Sequence, residues 1–74
     1  MDGNRYTITD DFSVRDGRII SVNTPIDHKN FKFEFITIED KKFRYGITHN
    51  ETWLIIKDAD KISESFVGKE LIFS

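Results

Sequence analysis

The chain has 74 residues, no cysteine and a formal net charge of −2. This length allows a single domain, residues 1–74, and the lack of cysteine excludes a disulfide-stapled scaffold. The longest unbroken apolar run, residues 53–56, is far shorter than the ~20 residues of a membrane helix. No apolar run of signal-peptide length follows the first residues, so we expect a soluble cytoplasmic protein that makes no membrane contact.

Alternation of polar with β-branched or aromatic residues predicts strands over most of the chain. In chain order, the predicted strand segments are 5–9, 12–15, 18–23, 31–39, 43–49, 52–57 and 69–73. Asp58 or Asp60 can cap a short helix that carries Ile62 and Phe66 at i, i+4 spacing and ends at Gly68.

The first hairpin is predicted around Asp16-Gly17, a strong turn signal. A two-residue loop would place Val14 opposite Ile19 and Phe12 opposite Ser21. A three-residue loop with Gly17 in a left-handed bulge would instead place Phe12 opposite Ile20 and Val14 opposite Arg18. The second register puts Phe12, Val14, Ile20 and Val22 on one face, so we favour it.

The second hairpin is predicted from strands 31–39 and 43–49, with a turn at residues 40–42. An odd-membered loop would place Phe31, Phe33, Phe35, Phe43, Tyr45 and Ile47 on one face, whereas a two-residue loop would split the aromatics between faces. Because register is strongly specified where one face is buried, we favour the odd loop. Gly46 would then suit a bend or a close backbone approach.

These elements predict a mainly β domain, a five- to six-stranded antiparallel barrel or rolled sheet with one short helix before the last strand. Full closure would remove exposed strand edges. The plan resembles the SH3-like and OB-like small barrels in architecture, and that resemblance implies no function.

The strand at 52–57 is apolar on both faces, and strand 31–39 carries isoleucines opposite its aromatic face. A protein-binding patch is therefore predicted from Ile36, Ile38, Trp53 and Ile55. We expect a non-catalytic binding module that occupies a partner protein, as an inhibitor or accessory subunit of the kind that phages encode. The same patch could instead form a homodimer that completes a small core.

The alternative function is binding of single-stranded nucleic acid. Residues 29–44 hold five bases against three acids, interleaved with aromatic residues that could stack on bases. The candidate residues are Lys32, Lys41, Lys42 and Arg44. The competing interpretation, which we favour, is that the aromatics form the core, because a chain this short has few other residues to build one.

Residue patterns that carry catalysis are missing from this sequence. It has no cysteine, no serine in a Gly-x-Ser-x-Gly elbow and no glycine-rich phosphate loop. His28 and His49 lie in predicted loops without metal-ligand spacing, and Asp58-Ala59-Asp60 lacks the glycine and glutamate of a calcium loop. We expect neither enzymatic activity nor a metal or cofactor.

Overall fold

The computed structural model describes residues 4–15, 17–57 and 64–74 and shows a closed antiparallel barrel of six strands. The strands are β1 (Arg5–Val14), β2 (Gly17–Val22), β3 (Phe35–Ile38), β4 (Lys41–Ile47), β5 (Trp53–Lys57) and β6 (Glu70–Phe73). Around the barrel they follow the order β1-β2-β5-β4-β3-β6, and β6 closes on β1. The prediction of a small, mainly β barrel is confirmed.

The core fills the barrel with aliphatic side chains from alternate strand positions and a few aromatic rings. Its buried members are Tyr6, Ile8, Ile20, Val22, Ile26, Ile36, Ile38, Phe43, Leu54, Ile56, Phe66, Leu71 and Phe73. Phe31, Phe33 and Tyr45 pack against this cluster while remaining partly exposed. The closed barrel therefore has a continuous apolar interior of its own.

The first hairpin adopts neither of the registers considered from the sequence. A β-bulge between Ile8 and Asp10 shifts the alternation of β1, and Phe12 pairs with Ile19 rather than with Ile20 or Ser21. Phe12 is consequently on the outer wall, 36% exposed. The favoured register is wrong because Val14 pairs with Gly17, so Gly17 belongs to β2 rather than to the loop.

Gly17 also differs from its predicted role as a left-handed bulge residue. It is the first residue of β2, pairs with Val14 and Lys57, and has no positive φ. A Cβ atom at this position would lie 2.2 Å from the carbonyl oxygen of Ile56. The glycine is needed for close approach of two backbones rather than for its conformational freedom.

The second hairpin has a two-residue turn at Glu39 and Asp40, whose φ angles are 49° and 70°. Phe35 pairs with Arg44 on the outer wall. The favoured odd-membered loop is therefore wrong, and the aromatics are split between faces. Two positive φ angles suit the right-handed twist of a tight hairpin, and this geometry outweighs the gain from one shared aromatic face.

The predicted strand 31–39 begins later than expected, since residues 28–32 form a 3₁₀-helix (His28–Lys32). The Asp27 side chain accepts a hydrogen bond from the backbone N–H of Lys29, 3.0 Å away, which caps the helix. The Tyr6 hydroxyl accepts from the Asp27 backbone N–H and from the Asn30 side-chain amide, each at 2.9 Å. These bonds attach residues 27–30 to Tyr6 of β1.

The helix predicted before the last strand falls largely on residues 58–63, which lie outside the described residues. Residues 64–68 form bends and a turn rather than a helix. Gly68 has a φ of 88°, the left-handed conformation expected of a residue that ends such a segment. Within the described ranges, no helix is long and apolar enough to cross a membrane.

Candidate binding surfaces

Four apolar side chains lie together on the outer wall formed by β1, β2 and β5. Phe12 pairs with Ile19 across β1 and β2, and Ile19 pairs with Ile55 across β2 and β5. Trp53 lies two residues before Ile55 and so shares its face. We name Phe12, Ile19, Trp53 and Ile55 the Trp53 face.

The rings of Phe12 and Trp53 hold this face together. Their centroids are 5.4 Å apart and their planes lie at 77°, an edge-to-face contact. Because β1 and β5 both flank β2, the contact passes over β2. Ile19, Trp53 and Ile55 are half-buried, whereas the alternating residues Ile20, Leu54 and Ile56 belong to the core. Strand β5 is therefore apolar on both faces, as predicted, with one face directed outward.

The predicted four-residue patch is wrong in its composition. Ile36 and Ile38 are 0% and 1% exposed and belong to the core, so the barrel wall separates them from Trp53 and Ile55. The two-residue turn is the cause, because it places Ile36 and Ile38 on the inner face of β3. Phe12 and Ile19 take their place on the outer surface, and the sequence analysis missed both.

A second surface is an open groove on the outer wall of β3 and β4. It is lined by Phe33, Glu34, Phe35, Arg44, Tyr45, Ile47 and Lys57, and we name it the Phe35 groove. Two lysines flank it: the ammonium nitrogen of Lys42 lies 5.2 Å from the centre of the Phe35 ring, and that of Lys32 lies 5.4 Å from the Phe33 ring.

Three of the four predicted nucleic-acid-binding residues border this groove. Arg44 lines it, and Lys42 and Lys32 lie over its aromatic rings. Lys41 does not join them: it pairs with Ile38, and its charge acts on Glu64, whose pKa it helps to lower. Lys57, which the sequence analysis did not select, completes the basic lining.

Tyr45 connects the groove to the core. Its ring meets that of Phe73 edge to face, with centroids 5.2 Å apart. Its hydroxyl donates its single proton to the backbone carbonyl oxygen of Phe33, and the carbonyl oxygen of Asn30 lies 3.4 Å from the same hydroxyl. Partial burial raises the pKa of Tyr45 above its ordinary value of 10.0. The groove floor is thus tied to the barrel by a neutral hydroxyl.

A buried ion pair, absent from the sequence-based expectations, closes one end of the barrel. Arg18 Nη1 lies 3.1 Å from Asp11 Oδ2, and both side chains are almost fully buried. The same carboxylate accepts from the backbone N–H of Phe66 at 2.7 Å, while the Arg18 guanidinium donates to the carbonyl oxygen of Glu64. These contacts hold residues 64–66 against the hairpin of β1 and β2.

An exposed ion cluster lies near the turn of β3 and β4. Lys69 Nζ is 3.1 Å from a carboxylate oxygen of Glu39 and 3.1 Å from one of Glu64. Its hydrogen bonds to the two carboxylates raise the pKa of Lys69, and the bond to Lys69 lowers the pKa of Glu64. Both carboxylates are well exposed, which indicates a surface tether rather than a site of chemistry.

Among the described residues, the two histidines belong to no group of metal-ligating side chains. His28 stacks on Phe31, with ring centroids 5.4 Å apart. Across the described part of the chain, no three His, Cys, Asp or Glu side chains are grouped so that they could hold a metal ion. Asp58 and Asp60, considered as calcium ligands and as helix caps, lie outside that part.

No protein-family model, no curated protein sequence and no solved structure matches this chain. The two surfaces are therefore the basis for a proposed function.

Proposed function

We propose that this protein is a non-catalytic binding module that docks on a partner protein through the Trp53 face. The observation that carries the proposal is the row of apolar side chains on the outer wall, joined by the contact of Phe12 with Trp53. Folding does not require an apolar outer wall, since a single sheet needs only one buried face. Contiguous exposed apolar surface on a small domain is typical of an interaction site.

The closed barrel restricts how the partner can dock. Over the described residues, each of the six strands pairs on both sides along at least part of its length, which leaves little strand edge that a further strand could join. We therefore expect the partner to bind mainly by side-chain packing. Trp53 is the expected anchor, because binding free energy concentrates in tryptophan, tyrosine and arginine.

A second copy of the chain is a less favoured partner for this face than a different protein. A homodimer would be favoured if the second copy completed an undersized core. The barrel instead closes around its own interior, where Ile20, Ile36 and Ile56 are 0% exposed. A second copy has no missing core to supply, so we assign the face to a different protein.

Site-specific photo-crosslinking in the native host cell tests this proposal. A benzophenone amino acid replaces Ile19 at the centre of the Trp53 face, and a matched control replaces Thr37, a half-buried residue of β3 whose neighbours Ile36 and Ile38 are in the core. We expect position 19, and not position 37, to crosslink to one partner protein. Equal yields at the two positions, or crosslinks only to a second copy, would contradict the proposal.

A further inference from the structure

The Phe35 groove is a separate surface, on a different wall from the Trp53 face. It lies over β3 and β4, whereas the Trp53 face lies over β1, β2 and β5. The two walls meet where Gly46 of β4 pairs with Ile55 of β5. The residues that line the groove thus include none of the four residues of the Trp53 face.

The groove presents aromatic rings on a rigid support. Phe35 pairs with Arg44 on one side, and on the other its backbone exchanges two hydrogen bonds with Ser74, of 2.8 and 3.3 Å. The Phe33 carbonyl is held by the Tyr45 hydroxyl. Phe33 and Phe35 are both half-buried, so each ring keeps an accessible part. Rings fixed in this way lose little freedom when a flat ligand stacks on them.

Cations without carboxylate partners surround these rings. No carboxylate of the described residues lies within 4.0 Å of the charged groups of Lys32, Lys42, Arg44 or Lys57. One acid, Glu34, shares the groove. The carboxylates that form ion pairs do so outside the groove, with Arg5, Arg18 and Lys69. The surface around the groove is thus locally basic although the net charge of the chain is −2. A polyanion that binds at the groove is attracted by this local charge.

We infer that the Phe35 groove binds single-stranded nucleic acid, with bases stacked on Phe35 and Phe33 and phosphates held by the surrounding cations. Unpaired bases offer the flat faces that fill an aromatic groove, and the phosphate backbone supplies the matching charge. The lysines over the two rings have flexible stems, so they can move aside to a phosphate when a base takes their place. A duplex fits poorly because its bases are already stacked on each other.

Fluorescence anisotropy with a labelled oligothymidylate tests this inference. A length of about 12 nucleotides lies within the ~4–16 that one small barrel covers. We expect micromolar binding at about 50 mM salt. Affinity should fall with salt at a log–log slope of about −2 to −3, since each neutralised phosphate contributes about −0.7. A duplex of equal phosphate number should bind more weakly.

Two variants and two matched controls assign the binding to the groove. Phe35→Ala should weaken binding at least about fivefold, the lower end of stacking losses. The double variant Lys42→Gln/Arg44→Gln should reduce the salt slope by about 1 to 1.5, and its exposed positions leave the fold intact. The first control, Phe12→Ala, removes an aromatic ring of the other wall. The second control, Lys41→Gln, removes a charge of β4 that lies outside the groove. Both control variants should bind the oligonucleotide as the parent chain does.

Three results would overturn the inference: no binding at about 50 mM salt, equal affinity for single strand and duplex, or unchanged binding by both groove variants. Trp53→Ala should leave oligonucleotide binding unchanged, and Phe35→Ala should leave crosslinking from position 19 unchanged. Failure of this inference therefore remains distinguishable from failure of the proposed protein-binding function.

Discussion

Asp11 and Arg18 form a buried ion pair whose 3.1 Å contact joins the hairpin of β1 and β2 to residues 64–66. The bulge in β1 turns Asp11 inward at the end of the barrel, where it lies beside Ile20. The Arg18 guanidinium also lies 5.1 Å from the centre of the Phe66 ring. This pair therefore determines how the segment before β6 seals the core.

Removal of the buried carboxylate should be strongly destabilising. Asp11→Ala leaves the Arg18 charge buried and leaves the Phe66 N–H without its acceptor. Breaking one partner of a buried pair costs about 3–5 kcal/mol, a large share of the 5–15 kcal/mol stability of a typical domain. Urea unfolding followed by circular dichroism measures this loss.

Glu70→Ala is the matched control for this prediction. Glu70 pairs with Arg5 at 3.3 Å, but both side chains are about half exposed. An exposed pair contributes about 0–1 kcal/mol, so this variant should unfold near the parent midpoint. Equal effects of Asp11→Ala and Glu70→Ala would show that the Asp11 pair does not seal the barrel.

Gly17→Ala should destabilise the barrel while Gly46→Ala should not. A Cβ at position 17 would lie 2.2 Å from the carbonyl oxygen of Ile56, whereas at position 46 the nearest atom, Ile55 Cβ, would be 3.7 Å away. Forcing atoms into a packed position costs about 1–3 kcal/mol. Thermal unfolding of the two variants checks this difference, and a Gly17→Ala protein as stable as Gly46→Ala would contradict the observed register.

The contribution of the Tyr45 hydroxyl should depend on pH. Tyr45→Phe removes the hydrogen bond to the Phe33 carbonyl oxygen, at a cost of about 1 kcal/mol near neutral pH. Because burial raises the folded-state pKa of Tyr45 above 10.0, its stabilisation is complete below that pH and is lost as pH rises through the folded pKa.

The measurement is the difference in unfolding free energy between the parent chain and Tyr45→Phe, followed below and above pH 10.0. That difference should shrink at alkaline pH, since the ionised phenolate cannot donate to a carbonyl oxygen. A difference that stays constant or grows would mean that the hydroxyl makes no such bonds.

The sequence was sufficient to predict the barrel but not which residues face outward. Short alternating segments and tight turns predicted the strands, and the double apolar pattern of β5 correctly placed Trp53 and Ile55 opposite Leu54 and Ile56. Periodicity, however, cannot reveal a bulge, because one extra residue near Asp10 exchanges the faces of everything that follows it. The turn of the first hairpin had a similar effect: a three-residue loop predicted Phe12 on the inner face, whereas Val14 pairs with Gly17 and Phe12 lies on the outer wall.

The same limitation affected both candidate surfaces. The choice between an odd and a two-residue turn at Glu39 and Asp40 decides whether Ile36 or Phe35 points outward. Neither Glu nor Asp is a strong signal for two positive φ angles. The loop length was therefore predicted from the hydrophobic pattern alone. Lys57 was missed because its place beside Arg44 depends on the pairing of β4 with β5, which is set by the closed barrel.

In the proposed function, the Trp53 side chain serves binding rather than the core. Trp53 is the only tryptophan in the chain, so incorporation of fluorotryptophan gives a single fluorine NMR signal. The measurement is the shift of that signal between H₂O and D₂O, recorded for the free protein and for its complex with the crosslinked partner. We predict a solvent-dependent shift in the free protein that disappears in the complex. A signal that is already insensitive to solvent in the free monomer, or one that stays sensitive in the complex, would contradict the account.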